Sequence, residues 1–289
     1  MARTLDRSGP LPVTRLTAST KEWRNRSGRL SALWTEWKNC RNLAGRLLVR
    51  NLRAQYRQTF LGYAWAIVPP LATTLLWVFL QSRSIVAFEG GGGIPYPVYV
   101  LTGLLLWQSF LDAVSAPLKN VSEAKPMLAK VQFPREALIL AGIGEVCVHS
   151  TVRLLLWGGA LTYFGFLPAA TWPLAILGFV AMMVLATAIG IALTPLGLLT
   201  QDVSRGIAVG GQFWLYLTPI VYAPIEGSVL NWVNPVSPLM ITTRHWLLGG
   251  GDPNYLAFSV IAGLSAVVLL AAILLYRMSM PIVIERMSA

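Results

Sequence analysis

Residues 173–199 read PLAILGFVAMMVLATAIGIALTPLGLL, a stretch without a single charged side chain. A bilayer core about 30 Å thick is crossed by roughly 20 apolar residues in a helix, so this run is long enough to span. Lipid offers no partner to a bare backbone amide, and a helix satisfies its amides internally. Further apolar segments lie at 61–81, 98–118, 137–166, 207–223 and 255–276. All are long enough to cross except 207–223, which is short and contains Pro219. The pattern predicts an all-α integral membrane protein with six transmembrane helices between residues 61 and 276.

Composition points the same way. Of 289 residues 55% are hydrophobic and 12% charged, with a mean hydropathy of +0.59; soluble domains carry about 25% charged residues. Six spans with short loops leave little chain for a catalytic domain. The net charge of +11 would suit nucleic acid, so the placement of the charges decides. Thirteen of the 23 Lys and Arg lie in residues 1–60, and twenty fall on one side of the predicted topology. The opposite loops hold only Arg83 and Arg244, and Arg153 lies inside the third span. The positive-inside rule therefore puts both termini in the cytoplasm, and no nucleic-acid partner is expected. Cys40 and Cys147 are too few for a disulfide framework.

Residues 1–29 are Arg-rich and acid-poor, a composition shared with transit peptides, and read as a mobile cytoplasmic tail; no apolar h-region marks a secretory signal. From Leu33 onward Trp37, Cys40, Leu43, Leu47 and Leu48 recur at helical spacing with basic residues between them. Residues 30–60 therefore form a basic amphipathic helix along the membrane surface. Arg46, Arg50, Arg53 and Arg57 make one edge of it. Residues 277–289 read as a cytoplasmic tail.

Two connectors carry structure of their own. Asn120 and Glu123 have capping-box spacing, Pro126 is an alternative helix start, and Phe133-Pro134 breaks the chain before the third span, so a short cytoplasmic helix is expected at about 120–134. Residues 224–254, interrupted by Pro224, Pro235, Pro238 and the glycines at 249–251, are too broken to cross and fit re-entrant or interfacial helices.

Glu145, His149 and Arg153 stand at i, i+4 and i+8 in the third span and share one helical face. Ionisable groups at that depth must face protein or water, which makes this stripe a mutually neutralising structural ladder, with Asp112 as an extra partner. The rival reading makes His149 a general base.

Four motifs resemble one family. Tyr56-Arg57-Gln58-Thr59-Phe60-Leu61-Gly62-Tyr63-Ala64-Trp65, Lys130-Val131-Gln132-Phe133-Pro134-Arg135-Glu136, Thr218-Pro219-Ile220-Val221-Tyr222, and Asn234-Pro235 through Pro238 to Arg244 resemble, in order, segments of the permease subunits of ATP-binding-cassette (ABC) polysaccharide exporters, the O-antigen, capsule and teichoic-acid type. The resemblance runs from about residue 30 to the C-terminus. It implies a homodimeric, multi-pass permease of the bacterial inner membrane, without chemistry of its own. Two copies of a separate ATPase would hold ATP and Mg, and an undecaprenyl-linked polysaccharide would pass at the subunit interface. The chain has no G-x-x-x-x-G-K-[ST] motif, and Ile94-Pro95 follows the glycine run at 90–93, in keeping with a separate ATPase.

By the same resemblance Glu123, Lys130, Phe133, Pro134, Arg135 and Glu136 belong to an ATPase-coupling helix. Arg50, Arg53, Tyr56, Arg57 and the Leu61-Gly62 turn would receive the lipid-linked pyrophosphate, which suits the bidentate fork of arginine. Trp65, Trp77, Phe79, Trp107, Phe110, Phe213, Trp214, Tyr216 and Tyr222 are candidate channel aromatics, about a third of them lining the path as aromatic walls line ligand cavities. Export of a small hydrophobic molecule, and an intramembrane enzyme acting on lipid-linked sugars through Glu145, His149 and Arg153, are the alternatives.

Overall fold

The computed structural model describes residues 26–57, 65, 67–85, 88, 93–128, 134–224, 231, 233–251 and 253–288. These are helical or irregular, with no strand among the described residues. Contacts divide the chain into a first unit, Met1–Cys40, and a second, Arg41–Ala289. Of the first, the described part is the start of helix α1 (Arg26–Arg57), where Trp34 and Trp37 are exposed. The helix begins at Arg26 rather than near residue 30; the rest of the tail expected at 1–29 lies outside the described residues.

The second unit continues through α2 (Val68–Ser82), α3 (Tyr96–Glu123), the single turn α4 (Lys125–Leu128), α5 (Glu136–Tyr163), α6 (Ala175–Leu199), α7 (Asp202–Leu217), α8 (Val236–Leu248) and α9 (Tyr255–Ser288). Helix α3 is the hub, packing against α2, α5, α6, α7 and α8, while α6 packs in turn on α9 and α8. Lipid tails are as apolar as leucine, so membrane helices associate through close contact of small residues. Gly190 of α6 is such a contact: a Cβ there would stand 2.3 Å from the Val114 carbonyl oxygen of α3.

Four helical stretches are long and apolar enough to cross a membrane: Tyr96–Glu123, Glu136–Tyr163, Trp172–Leu199 and Tyr255–Val283. The other two expected spans are shorter. Helix α2 has 15 residues and α7 has 16; at 1.5 Å per residue neither reaches about 30 Å by itself. Residues 58–64, which precede α2, lie outside the described residues. Helix α7 begins at Asp202, five residues before the expected 207, and ends at Leu217. Thr218 is extended (φ −103°, ψ 136°), as the residue before a proline must be, and Pro219 offers no amide for another turn.

Two boundaries extend beyond the apolar runs. Helix α3 continues five residues past 118, so Asn120 is an interior residue and not the cap of a new helix; the break comes at Ala124, and α4 starts behind it. Helix α9 continues past 276 to Ser288, through Pro281, so the expected C-terminal tail is helical. Between α7 and α9, the region expected to be re-entrant contains α8, with ten of its 13 residues buried.

Candidate functional site

Helix α5 has the expected stripe of ionisable groups, and the stripe faces α3. The nearest partners of Arg153 and Glu145 stand on α3 and α1. Arg153, only 8% exposed, donates from Nη2 to Asp112 Oδ2 at 2.6 Å and from Nη1 to Ser109 Oγ at 3.2 Å. His149 Nδ1 stands 3.9 Å from the same Asp112 oxygen. Glu145, 4% exposed, accepts from Asn51 Nδ2 of α1 at 2.7 Å, with Lys119 Nζ of α3 at 3.7 Å from its other oxygen. One turn beyond Arg153, Trp157 Nε1 donates to Thr102 Oγ1 at 2.9 Å. Positions 102, 109, 112 and 119 of α3 thus meet 157, 153, 149 and 145 of the antiparallel α5, a polar seam in an apolar bundle. Spacing alone revealed the α5 half of this seam, and the α3 half was missed apart from Asp112.

Among the coupling residues, Glu123 closes α3 and is exposed, Pro134 is exposed, and Arg135 precedes α5. Glu136 opens α5 and accepts from Arg277 Nε of α9 at 3.1 Å. Lys130 and Phe133 lie outside the described residues. Helix α4 is held by Lys125 Nζ, which donates to the Leu198 carbonyl at 3.0 Å in the last turn of α6, where a cation complements the helix dipole.

Of the loading residues, Arg50 and Arg53 are exposed on α1. Arg50 donates to Asn51 Oδ1 from Nε and Nη2, at 3.2 and 3.1 Å. Tyr56 and Arg57 belong to α1, and Leu61 and Gly62 lie outside the described residues.

The aromatics separate into two groups. Trp107 and Phe110, 1% and 0% exposed, stack at 5.4 Å and meet Trp214 edge-on at 6.0 and 5.6 Å, forming the core between α3 and α7. Trp65, Phe79, Phe213 and Tyr216 are exposed, and Trp77 of α2 stands 6.4 Å from Tyr216 of α7. Tyr222 donates from its hydroxyl to the Tyr216 carbonyl at 3.1 Å.

A third polar cluster clamps the unwound chain after α7. The Arg244 guanidinium of α8, 4% exposed, donates to the carbonyls of Pro219 and Ile220 and lies 4.0 Å over the Tyr99 ring. Tyr96 and Tyr99 of α3 donate to the carbonyls of Val221 and Tyr222 at 3.2 and 3.1 Å. Asn234 Nδ2 donates to Leu217 O and Thr218 Oγ1, and its Oδ1 accepts from Trp214 Nε1 and the Val236 amide. Gly103 lets α3 approach, since a Cβ there would stand 2.8 Å from the Ile220 carbonyl oxygen. An unwound backbone inside an apolar protein needs such partners for every carbonyl. Asn234 and Arg244 stood out in the sequence only as parts of a motif, without these partners. Among the described residues no group of three or more His, Cys, Asp or Glu is arranged to hold a metal.

These features define a multi-pass, all-helical membrane protein whose polar side chains tie helices together. The chain is similar to the O-antigen export system permease protein RfbA of Klebsiella pneumoniae, 25% identical over 221 residues that cover 73% of this chain and 82% of that one. It is similar also to the protein of the same name from Myxococcus xanthus, 26% identical over 244 residues, covering 80% and 90%. No family model matches. The likeness to these proteins therefore extends over most of the chain, beyond the four motifs that first carried it.

Proposed function

We propose that this chain is the permease subunit of an ABC exporter that moves an undecaprenyl-linked polysaccharide, of O-antigen, capsule or teichoic-acid type, across the bacterial inner membrane. The observation that carries this reading is the likeness to proteins named as O-antigen export permeases over most of both chains. Those names favour a polymer over a small hydrophobic cargo, and transport over an enzyme acting on lipid-linked sugars. In this reading two copies form a homodimer and bind two copies of a separate ATPase that holds ATP and Mg. Helices α2 and α7 complete six spans, residues 224–254 form the outer re-entrant region, and both termini lie in the cytoplasm. Helix α4 and the segment from Lys130 to Glu136 meet the ATPase. The exposed Phe79, Phe213 and Tyr216, with Trp77, line the path, where aromatic faces stack on sugar rings without demanding a fixed polar partner.

The purified chain is expected to hydrolyse no ATP alone and to do so only in complex with a separate ATPase subunit, as a phosphate-release assay reads directly. Hydrolysis by the isolated chain, or no surface carbohydrate on co-expression, overturns the proposal.

Substrate loading at α1 gives a sharper test. Anchoring to anionic lipid needs only positive charge, each basic residue adding about 1 kcal/mol, and tolerates lysine. Recognition of a pyrophosphate uses the planar fork of arginine. Arg53→Lys with Arg57→Lys is therefore expected to lower export about tenfold, the scale of one charge-assisted hydrogen bond, while the protein stays inserted and ATPase-bound. Undiminished surface carbohydrate would reduce this edge to an anchor.

A further inference from the structure

We propose that Asn51 and Glu145 form the joint through which displacement of α1 is passed to α3 and α5, an inference that rests on the export function above. A helix lying on the membrane surface transmits motion to the spans only through ties stiffer than lipid. Within the second unit two such ties are adjacent. Leu48 of α1 fits against Gly144 of α5, where a Cβ would stand 2.9 Å from Leu48 Cδ2. One turn further along α1, the Asn51 amide nitrogen donates to Glu145 Oε1 of α5 at 2.7 Å and to Asn120 Oδ1 of α3 at 2.8 Å. Three helices meet at one nitrogen.

The chemistry around the amide leaves it one orientation. Arg50 has only donors, and two of them face Asn51 Oδ1; the nitrogen must therefore face the carboxylate, which only accepts. Asn120 agrees, because its own nitrogen donates to the Ala116 carbonyl, leaving its oxygen for Asn51. Glu145 is 4% exposed, so separating α1 from α5 would take the closest donor from a buried carboxylate and leave it Lys119 at 3.7 Å. Asn120 lies one turn before the break at Ala124, behind which α4 is tied to α6 by Lys125. A push on α1 or on α4 thus reaches the same point in the bundle.

An inert structural tie and a joint predict different failures. Losing a tie lowers inserted protein, ATP hydrolysis and export together; losing a joint leaves hydrolysis and removes export. Asn51→Asp sets a carboxylate against Glu145, and Asn51→Asp with Glu145→Gln restores the bond to α5 with donor and acceptor exchanged, Asn120 turning its amide nitrogen from the Ala116 carbonyl to the new carboxylate to keep the bond to α3. Each variant would be co-expressed with the partner ATPase in cells lacking the chromosomal copy. Surface carbohydrate would be labelled by periodate oxidation and a membrane-impermeant hydrazide, and ATP hydrolysis measured on the purified complex. Asn51→Asp is expected to lower label at least about tenfold with hydrolysis within about twofold of wild type, and the exchanged pair to recover most of the label, the non-additivity that marks a direct contact. Glu145→Gln alone keeps its acceptor and is expected to stay near wild type.

Normal label in Asn51→Asp overturns the joint. So does an exchanged pair no better than the single variant, or a parallel fall of insertion, hydrolysis and label. Absence of label in the wild type would instead count against the export function itself.

Discussion

Arg244→Met is expected to destabilise the protein by about 2–4 kcal/mol and to loosen the segment between α7 and α8, because the guanidinium serves two buried backbone carbonyls for which no other donor stands ready among the described residues. Those carbonyls belong to Pro219 and Ile220, in the stretch where α7 has come unwound. Each buried acceptor left unsatisfied costs about 1–3 kcal/mol, and loss of the cation over the Tyr99 ring adds to this. Removing a charge with no carboxylate partner among the described residues also removes its desolvation cost, which offsets part of the sum. Methionine keeps the length and the apolar stem, so the deficit belongs to the donors. Arg244→Lys should recover little, since one ammonium replaces a fork aimed at two oxygens. Thermal unfolding in detergent reads the loss, and limited proteolysis should cut first between α7 and α8. A variant as stable and as protease-resistant as the wild type would mean that Tyr96, Tyr99 and Asn234 hold this segment without the arginine.

The six apolar segments were legible because apolar surroundings are written as composition, and each of them holds a helix, four of these long and apolar enough to cross a membrane. Their ends were not. The apolar run of α3 stops near 118, yet the helix continues because Lys119 and Asn120 find Glu145 and Asn51 in place of water. A polar residue ends a span in sequence but not in a protein that supplies its partner. Pro219 did mark a real boundary, because the missing amide is a local property.

Partnerships across helices were out of reach for the same reason. Spacing placed Glu145, His149 and Arg153 on one face, which is geometry within a helix. Which groups stand opposite depends on the register of α3 against α5. The aromatics show the same limit, for Trp107 and Phe213 look alike in sequence while one is 1% and the other 68% exposed.

The seam between α3 and α5 carries the second large expectation. Arg153→Leu should cost about 3 kcal/mol, the low end of the 3–5 kcal/mol typical when one member of a buried ion pair is removed, because Asp112 keeps 38% of its side chain exposed and is partly screened. The damage comes from the carboxylate left behind and not from a missing attraction. Asp112→Asn in the same chain should therefore restore most of the stability, since the amide leaves no unpaired charge in the seam. That recovery distinguishes pairing from simple loss of the arginine stem. His149→Gln supplies the control: it keeps a hydrogen-bonding side chain near Asp112 but no proton-accepting ring, and should leave both stability and export close to wild type. If His149→Gln abolished export in a stable, inserted protein while the Arg153→Leu and Asp112→Asn pair exported normally, proton transfer at His149 would replace helix pairing as the work of this face.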